Sequence, residues 1–163
     1  MENKVYIYKC NKYDEELIQK AYQELLVNNG LLDFVKKDMK IGIKVNLVGN
    51  FNPDKAVTTH PILVKVLCKL LIERGAIVTI GDSPGGLFTE GILRSAYKGA
   101  GLSICEEVGA FLNYDVSTSV IKVDKQVVKN LDVSNWLLKQ DAIINFAKLK
   151  SHGMMALSSS VKN

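Results

Sequence analysis

Cysteine, proline and histidine are all sparse in this chain. The three cysteines, Cys10, Cys68 and Cys105, are far apart, odd in number and without a Cys-x-x-Cys pair. They offer neither a disulfide framework nor a zinc or iron–sulfur ligand set, and they fit reduced thiols in a cytosol. With 3 prolines and 12 glycines the sequence carries no low-complexity or fibrous signal. No apolar stretch approaches the ~20 residues that a membrane-spanning helix needs. Arginine-rich and aromatic–basic stripes are missing, which counts against nucleic acid as a partner. Met1-Glu2-Asn3-Lys4 runs straight into a strand-like stretch instead of a signal peptide, so a cytoplasmic location is expected.

What is present is the composition of a soluble globular protein, with 47% hydrophobic and 23% charged residues. The 163 residues fit one domain, 1–163. A chain of this size buries roughly 70% of the surface its unfolded form exposes. Lys and Arg number 21 against 17 Asp and Glu, a net charge of +4, which is compatible with a small anionic ligand. The excess is local. Residues 142–163 contain Lys148, Lys150, Lys162 and His152 and no carboxylate.

Hydrophobic periodicity gives the elements. Val5 to Lys9 is β-branched and aromatic and reads as a strand. Asp14 then caps a helix with Leu17, Ile18, Ala21, Tyr22, Leu25 and Leu26 at helical spacing, stopped by Asn28-Asn29-Gly30. Ile41, Ile43, Val45 and Leu47 alternate with Gly42, Lys44, Asn46 and Val48 as a second strand. Thr58-Thr59-His60-Pro61 predicts a helix start with a hydroxyl cap, and a mostly apolar helix follows to Arg74. Ala76 to Gly81 is a buried strand, and Thr89 to Lys98 a helix. Gly109 to Lys129 is irregular, with short edge strands near Val120 and Val127. After a helical piece around Trp136, Ala142 to Ala147 makes a final buried strand. This alternation predicts an α/β fold, a layered and mainly parallel β-sheet flanked by helices. Ligands of such sheets sit outside the carboxyl ends of the strands, which ranks the polar residues.

Lys44 and Asn46 share a strand face, so Lys44 either snorkels to the sheet edge or faces a cleft. Gly81-Asp82-Ser83-Pro84-Gly85-Gly86 matches G-x-S-x-G after a strand. As a nucleophile elbow it fails, because the residue after Ser83 must donate its N–H to the oxyanion and Pro84 has none. It also lacks the Lys-Ser/Thr of a phosphate loop, since Leu87-Phe88 stands there. It remains a plain turn, a cradle for an anion on the N–H groups around Gly85 and Gly86, or a place where Asp82 holds a metal or a substrate hydroxyl. Asn145, Lys148, Lys150 and His152 follow the last strand. If extended, Lys148, Lys150 and His152 share a face that suits phosphate or carboxylate; otherwise they form a solvated basic loop. His60, His152 and Asp82 would give three metal ligands with one open position, but nothing in the spacing brings them together.

Lys44-x-Asn46, Thr59-His60-Pro61, Gly81-Asp82-Ser83-Pro84-Gly85-Gly86, Asn145-x-x-Lys148-Leu149-Lys150-x-His152 and Val161-Lys162-Asn163 occur in this order. The set resembles domain-of-unknown-function family 362, from about Val5 to the end. Ser151 stands where the family often has threonine. The resemblance carries over Lys44, Asn46, Thr59, His60, Asp82, Ser83, Gly85, Gly86, Asn145, Lys148, Lys150, His152 and Lys162 as ligand-site positions. Among them Asp82 and His152 are available for proton transfer. It also implies that the domain continues past Lys162-Asn163, so that this chain is an N-terminal fragment. Many relatives carry a ferredoxin-like four-iron–four-sulfur module after the domain. A 4Fe-4S cluster is therefore expected only in longer members, and a redox setting is what the resemblance implies.

The leading expectation is a domain that binds a small anionic molecule, or a metal–anion pair, at the strand ends. The alternative is a non-enzymatic docking domain for a ferredoxin-like module or partner subunit. A serine hydrolase using Ser83 comes third. Whether the chain is an enzyme is left open by these residues.

Overall fold

The computed structural model describes residues 4–84, 86–124 and 128–163. Its centre is a four-stranded, fully parallel sheet of β1 (Lys40–Lys44), β2 (Ile77–Gly81), β3 (Phe111–Leu112) and β6 (Ala142–Asn145), in the order β3-β2-β1-β6. The register pairs Lys44 with Gly81 on one side and with Asn145 on the other. Helices α1 (Glu15–Tyr22), α2 (Pro61–Ile72) and α3 (Glu90–Gly99) complete the α/β architecture that the alternating pattern predicts.

The core follows from that pattern. Ile41, Ile43 and Val45 join Val78 and Ile80 of β2 and Val64, Leu67, Cys68 and Leu71 of α2 in one buried cluster. On the other face of the central strands two glycines make room for an aromatic ring. Gly42 and Gly81 lie under the indole of Trp136 in α4 (Asn135–Leu138), and a Cβ on Gly81 would stand 2.5 Å from a ring carbon. Asp14 caps α1 through its carboxylate, as expected. The helix then widens into a π-helical turn over Gln23–Val27.

Four expectations change. Val5 to Lys9 forms no strand and is exposed throughout, since β propensity without a neighbouring strand to pair with buries nothing. The cap of α2 is His60, whose Nδ1 accepts from the Ile62 N–H at 3.4 Å, and not a threonine hydroxyl. Thr59 Oγ1 is already engaged, accepting from the Asn46 N–H at 2.9 Å and donating to the Phe146 carbonyl at 3.0 Å. The final strand is shorter than Ala142–Ala147 and only half buried, because β6 pairs with β1 alone and lies at the sheet's edge.

The stretch around Val120 does not edge the main sheet. It forms a separate antiparallel ribbon of β4 (Thr118–Lys122) and β5 (Asn130–Ser134). Val127 lies outside the described residues. A hairpin that the periodicity missed, β7 (Lys150–His152) with β8 (Ala156–Ser158), follows the main sheet and carries the basic segment back toward its carboxyl edge.

Candidate functional site at the carboxyl edge of the sheet

The connections place the site. From β1 the chain passes to β2 and then β3 on one side, while β6 joins β1 on the other. In parallel sheets the crevice that holds ligands opens where the strand order reverses, here between the carboxyl ends of β1 and β6. Lys44, Asn46 and Asn145 stand there, with the Asp82 loop alongside.

Lys44 Nζ meets Asp82 Oδ1 at 2.5 Å, and Asp82 Oδ2 accepts the Leu47 N–H at 2.6 Å. The Asp82 side chain is 4% exposed and that of Lys44 18%, so this is a largely desolvated ion pair. Asn163 closes the group. Its Oδ1 accepts from Lys44 Nζ at 3.3 Å and from Asn46 Nδ2 at 3.2 Å. Its Nδ2 donates to the Lys44 carbonyl at 3.4 Å and to Asn145 Oδ1 at 2.8 Å. Asn145 in turn donates to the Ser160 carbonyl at 2.7 Å, which ties the segment after β8 to the edge strand.

Two adjoining clefts open onto this network. The smaller, about 200 Å³, is lined by Lys44, Asn46, Leu47, Asp82, Ser83, Lys162 and Asn163. The larger, about 430 Å³, shares Asn46, Leu47 and Lys162 and adds Val57, Lys150 and His152. Lys150 Nζ donates to the Val57 carbonyl, and burial, then the neighbouring Lys162 charge, hold its amine below the usual lysine range. His152 Nδ1 accepts from the Met154 and Met155 N–H groups at 3.2 Å each, which puts the proton of its neutral ring on Nε2.

The thirteen expected positions therefore divide. Lys44, Asn46, Asp82, Ser83, Lys150, His152 and Lys162 line the clefts. Asn145 and Thr59 support Asn163 and the Asn46 backbone from behind. Lys148 turns away. Its Nζ lies 3.3 Å from the Tyr13 hydroxyl, and Tyr13 stacks on His60 with ring centroids 3.7 Å apart. Burial, and secondly the Lys148 charge, lower the His60 pKa. Gly86 is exposed, with φ +96 and open space around it, and Gly85 lies outside the described residues. Leu47 and Asn163 are not among the expected site positions, although Asn163 ends the Val161-Lys162-Asn163 motif. Leu47 enters through its backbone N–H, which no side-chain pattern signals.

His60, His152 and Asp82 do not meet as a ligand set. His60 caps α2, His152 caps the hairpin turn, and Asp82 is taken by Lys44 and Leu47. Among the described residues no group of three or more His, Cys, Asp or Glu is placed to hold a metal. Cys68 and Cys105 are buried and Cys10 is exposed, and the hydrogen-bonded Cys105 thiol, then burial, push the Cys68 thiol pKa up. These cysteines do not fit the four-thiolate set of an iron–sulfur cluster. Ser83 has no hydrogen-bonded base among the described residues, and Pro84 follows it.

No helix among the described residues is long and apolar enough to cross a membrane. The chain is 27% identical over 135 residues to the "Thylakoid-associated protein sll1697" of Synechocystis sp.. That match covers 82% of this chain and 40% of the relative, so the chain spans less than half of that protein's length. No solved structure matches. Residues 41–163 match the family described as Domain of unknown function (DUF362). That span holds most of the chain and every residue of both clefts, and the chain belongs to this family.

Proposed function

We propose that this chain binds a small anionic molecule in the paired clefts at the carboxyl ends of β1 and β6. One observation carries the reading. Lys44, Lys150 and Lys162 line the clefts against a single carboxylate, Asp82, and Lys44 already neutralises it. Lys150, half-buried, and Lys162, exposed, line the larger cleft without a carboxylate, the Lys162 charge acts on Lys150, and a carboxylate or phosphate relieves that repulsion. Asp82 in the smaller cleft and His152 in the larger are the groups available for proton transfer. By the family resemblance, this would be the substrate or partner domain of an iron–sulfur redox protein in longer relatives.

Titration calorimetry with inorganic phosphate and with propionate tests it, on the native protein and on Lys150→Gln with Lys162→Gln. Losing a charge-assisted contact costs about 1.5–3 kcal/mol, so affinity should fall roughly 10- to 100-fold in the variant. Equal binding by the variant refutes the reading, and so does a native protein that binds neither these anions nor their hydroxylated counterparts lactate and glycerol 3-phosphate.

A second reading has its own observation. Leu149, Met154, Met155, Leu157 and Val161 are all exposed in the same acid-free segment as the hairpin. Exposed apolar side chains clustered around a basic recess are the makings of a protein interface. An acidic, ferredoxin-like module matches that charge. Hydrogen exchange of residues 149–161 should then slow in the presence of an acidic ferredoxin at low salt, and unchanged exchange rejects this partner.

A further inference from the structure

Four buried side-chain polar atoms lack a hydrogen-bond partner among the described residues: Asn46 Oδ1, Thr58 Oγ1, Gln140 Oε1 and Ser158 Oγ. Asn46 differs from the others because it lines both clefts, which Thr58, Gln140 and Ser158 do not. The residue is 6% exposed. A buried carbonyl left unpaired in this way costs as much as a lost hydrogen bond, and of the four residues only Asn46 borders a cleft from which a ligand could supply the partner.

The orientation of the Asn46 amide is not a free choice. Lys44 Nζ can only donate, and it faces Asn163 Oδ1. The Lys44 carbonyl can only accept, and it faces Asn163 Nδ2. Asn145 confirms that orientation, since its own Nδ2 is spent on the Ser160 carbonyl and its Oδ1 is turned to Asn163. Asn163 thus presents an oxygen to Asn46, Asn46 must answer with its Nδ2, and its Oδ1 is the acceptor left over. A ligand that reaches this atom must bring a donor. An ammonium group is disfavoured there by Lys44, Lys150 and Lys162.

We propose that the anion accepted by these clefts carries a hydroxyl beside its charged group, and that Asn46 Oδ1 receives that hydroxyl. This rests on the anion-binding reading and narrows it to hydroxycarboxylates or hydroxylated phosphate esters. An anion that carries a hydroxyl pairs this oxygen, and one without a hydroxyl leaves it unpaired. Sites built around a hydrogen bond to a hydroxyl reject the analogue that lacks it far more strongly than apolar pockets reject a changed methylene.

Matched pairs separate the two sources of this chemistry: lactate against propionate, and glycerol 3-phosphate against n-propyl phosphate. Calorimetry on the native protein should give the hydroxylated member of one pair roughly ten-fold tighter binding, and the pair tells carboxylate from phosphate. In Asn46→Leu, checked for folding by circular dichroism, that advantage should vanish. Should the variant not fold, the ¹⁵N shift of the Asn46 side-chain amide in the native protein reads the same contact. It should move with the hydroxylated member and stay with its analogue. Equal affinities within both pairs overturn this proposal and leave anion binding standing. An advantage that persists in folded Asn46→Leu, or an amide that moves equally with both members, overturns the role of Asn46. Failure of all four compounds to bind removes the anion-binding reading, and this proposal with it.

Discussion

Replacing Lys44 with methionine keeps the aliphatic stem and strands Asp82. The carboxylate would retain the Leu47 N–H on Oδ2, but Oδ1 would lose the ammonium now 2.5 Å away, in a side chain 4% exposed. Removing one partner of a buried pair typically costs about 3–5 kcal/mol, because the remaining charge has no solvent to turn to. The reverse change is milder. In Asp82→Asn the amide oxygen still accepts from Leu47, while Lys44, more exposed, keeps Asn163 Oδ1 at 3.3 Å and gains water. That variant should lose about 1–3 kcal/mol. The double variant should lose less than the sum, with a coupling of about 1–3 kcal/mol. Urea unfolding followed by the fluorescence of Trp136, the chain's single tryptophan, reads all four corners of the cycle. A loss below about 1 kcal/mol in Lys44→Met, or strict additivity, would show that the pair is solvated and the burial argument wrong.

Gly81→Ala would press a methyl group into the Trp136 ring, where the nearest ring atoms are 2.5 and 2.7 Å from the new carbon. Overpacking of this kind costs about 1–3 kcal/mol, and the emission of Trp136 should shift to the red; native-like stability and spectrum would contradict the slot. Binding of lactate should weaken as pH rises even below the ordinary lysine value of about 10.4, because burial and Lys162 make Lys150 discharge early. Lys150→Arg should flatten that profile, and a native affinity constant up to that pH speaks against Lys150 in the site. The lowered His60 pKa means that the unfolded chain takes up a proton first on acidification, so stability should fall as pH drops below about 6.5. His60→Asn, which caps without titrating, should remove this part of the dependence in thermal melts; an unchanged profile would exclude His60 as its source.

Local chemistry was legible wherever a residue answers to its neighbours in the chain. Apolar spacing marked the strands through Ile43 and Ile80 and the helix through Val64 and Leu71, because side chains two or about four positions apart share a face whatever lies opposite. The rule of strand ends, applied to that alternation, singles out Lys44, Asn46 and Asp82 from the sequence alone. The sequence also determined a negative, that Pro84 leaves Ser83 without an oxyanion donor. Tertiary structure decided everything that depends on what stands across a gap. Val5 to Lys9 has strand residues and no strand beside it, so it forms none. Lys148 and Lys150 look alike in the sequence, yet one reaches Tyr13 and the other the cleft, because the chain between β6 and the hairpin sets their directions. The oxygen of Asn46 is left over only because Lys44 and Asn145 orient the Asn163 amide and Asn163 then takes the Asn46 Nδ2, across as many as 119 positions of sequence. A hydrogen-bond network of that reach is a property of the packed molecule, since each amide's orientation is fixed by partners the chain brings together only on folding.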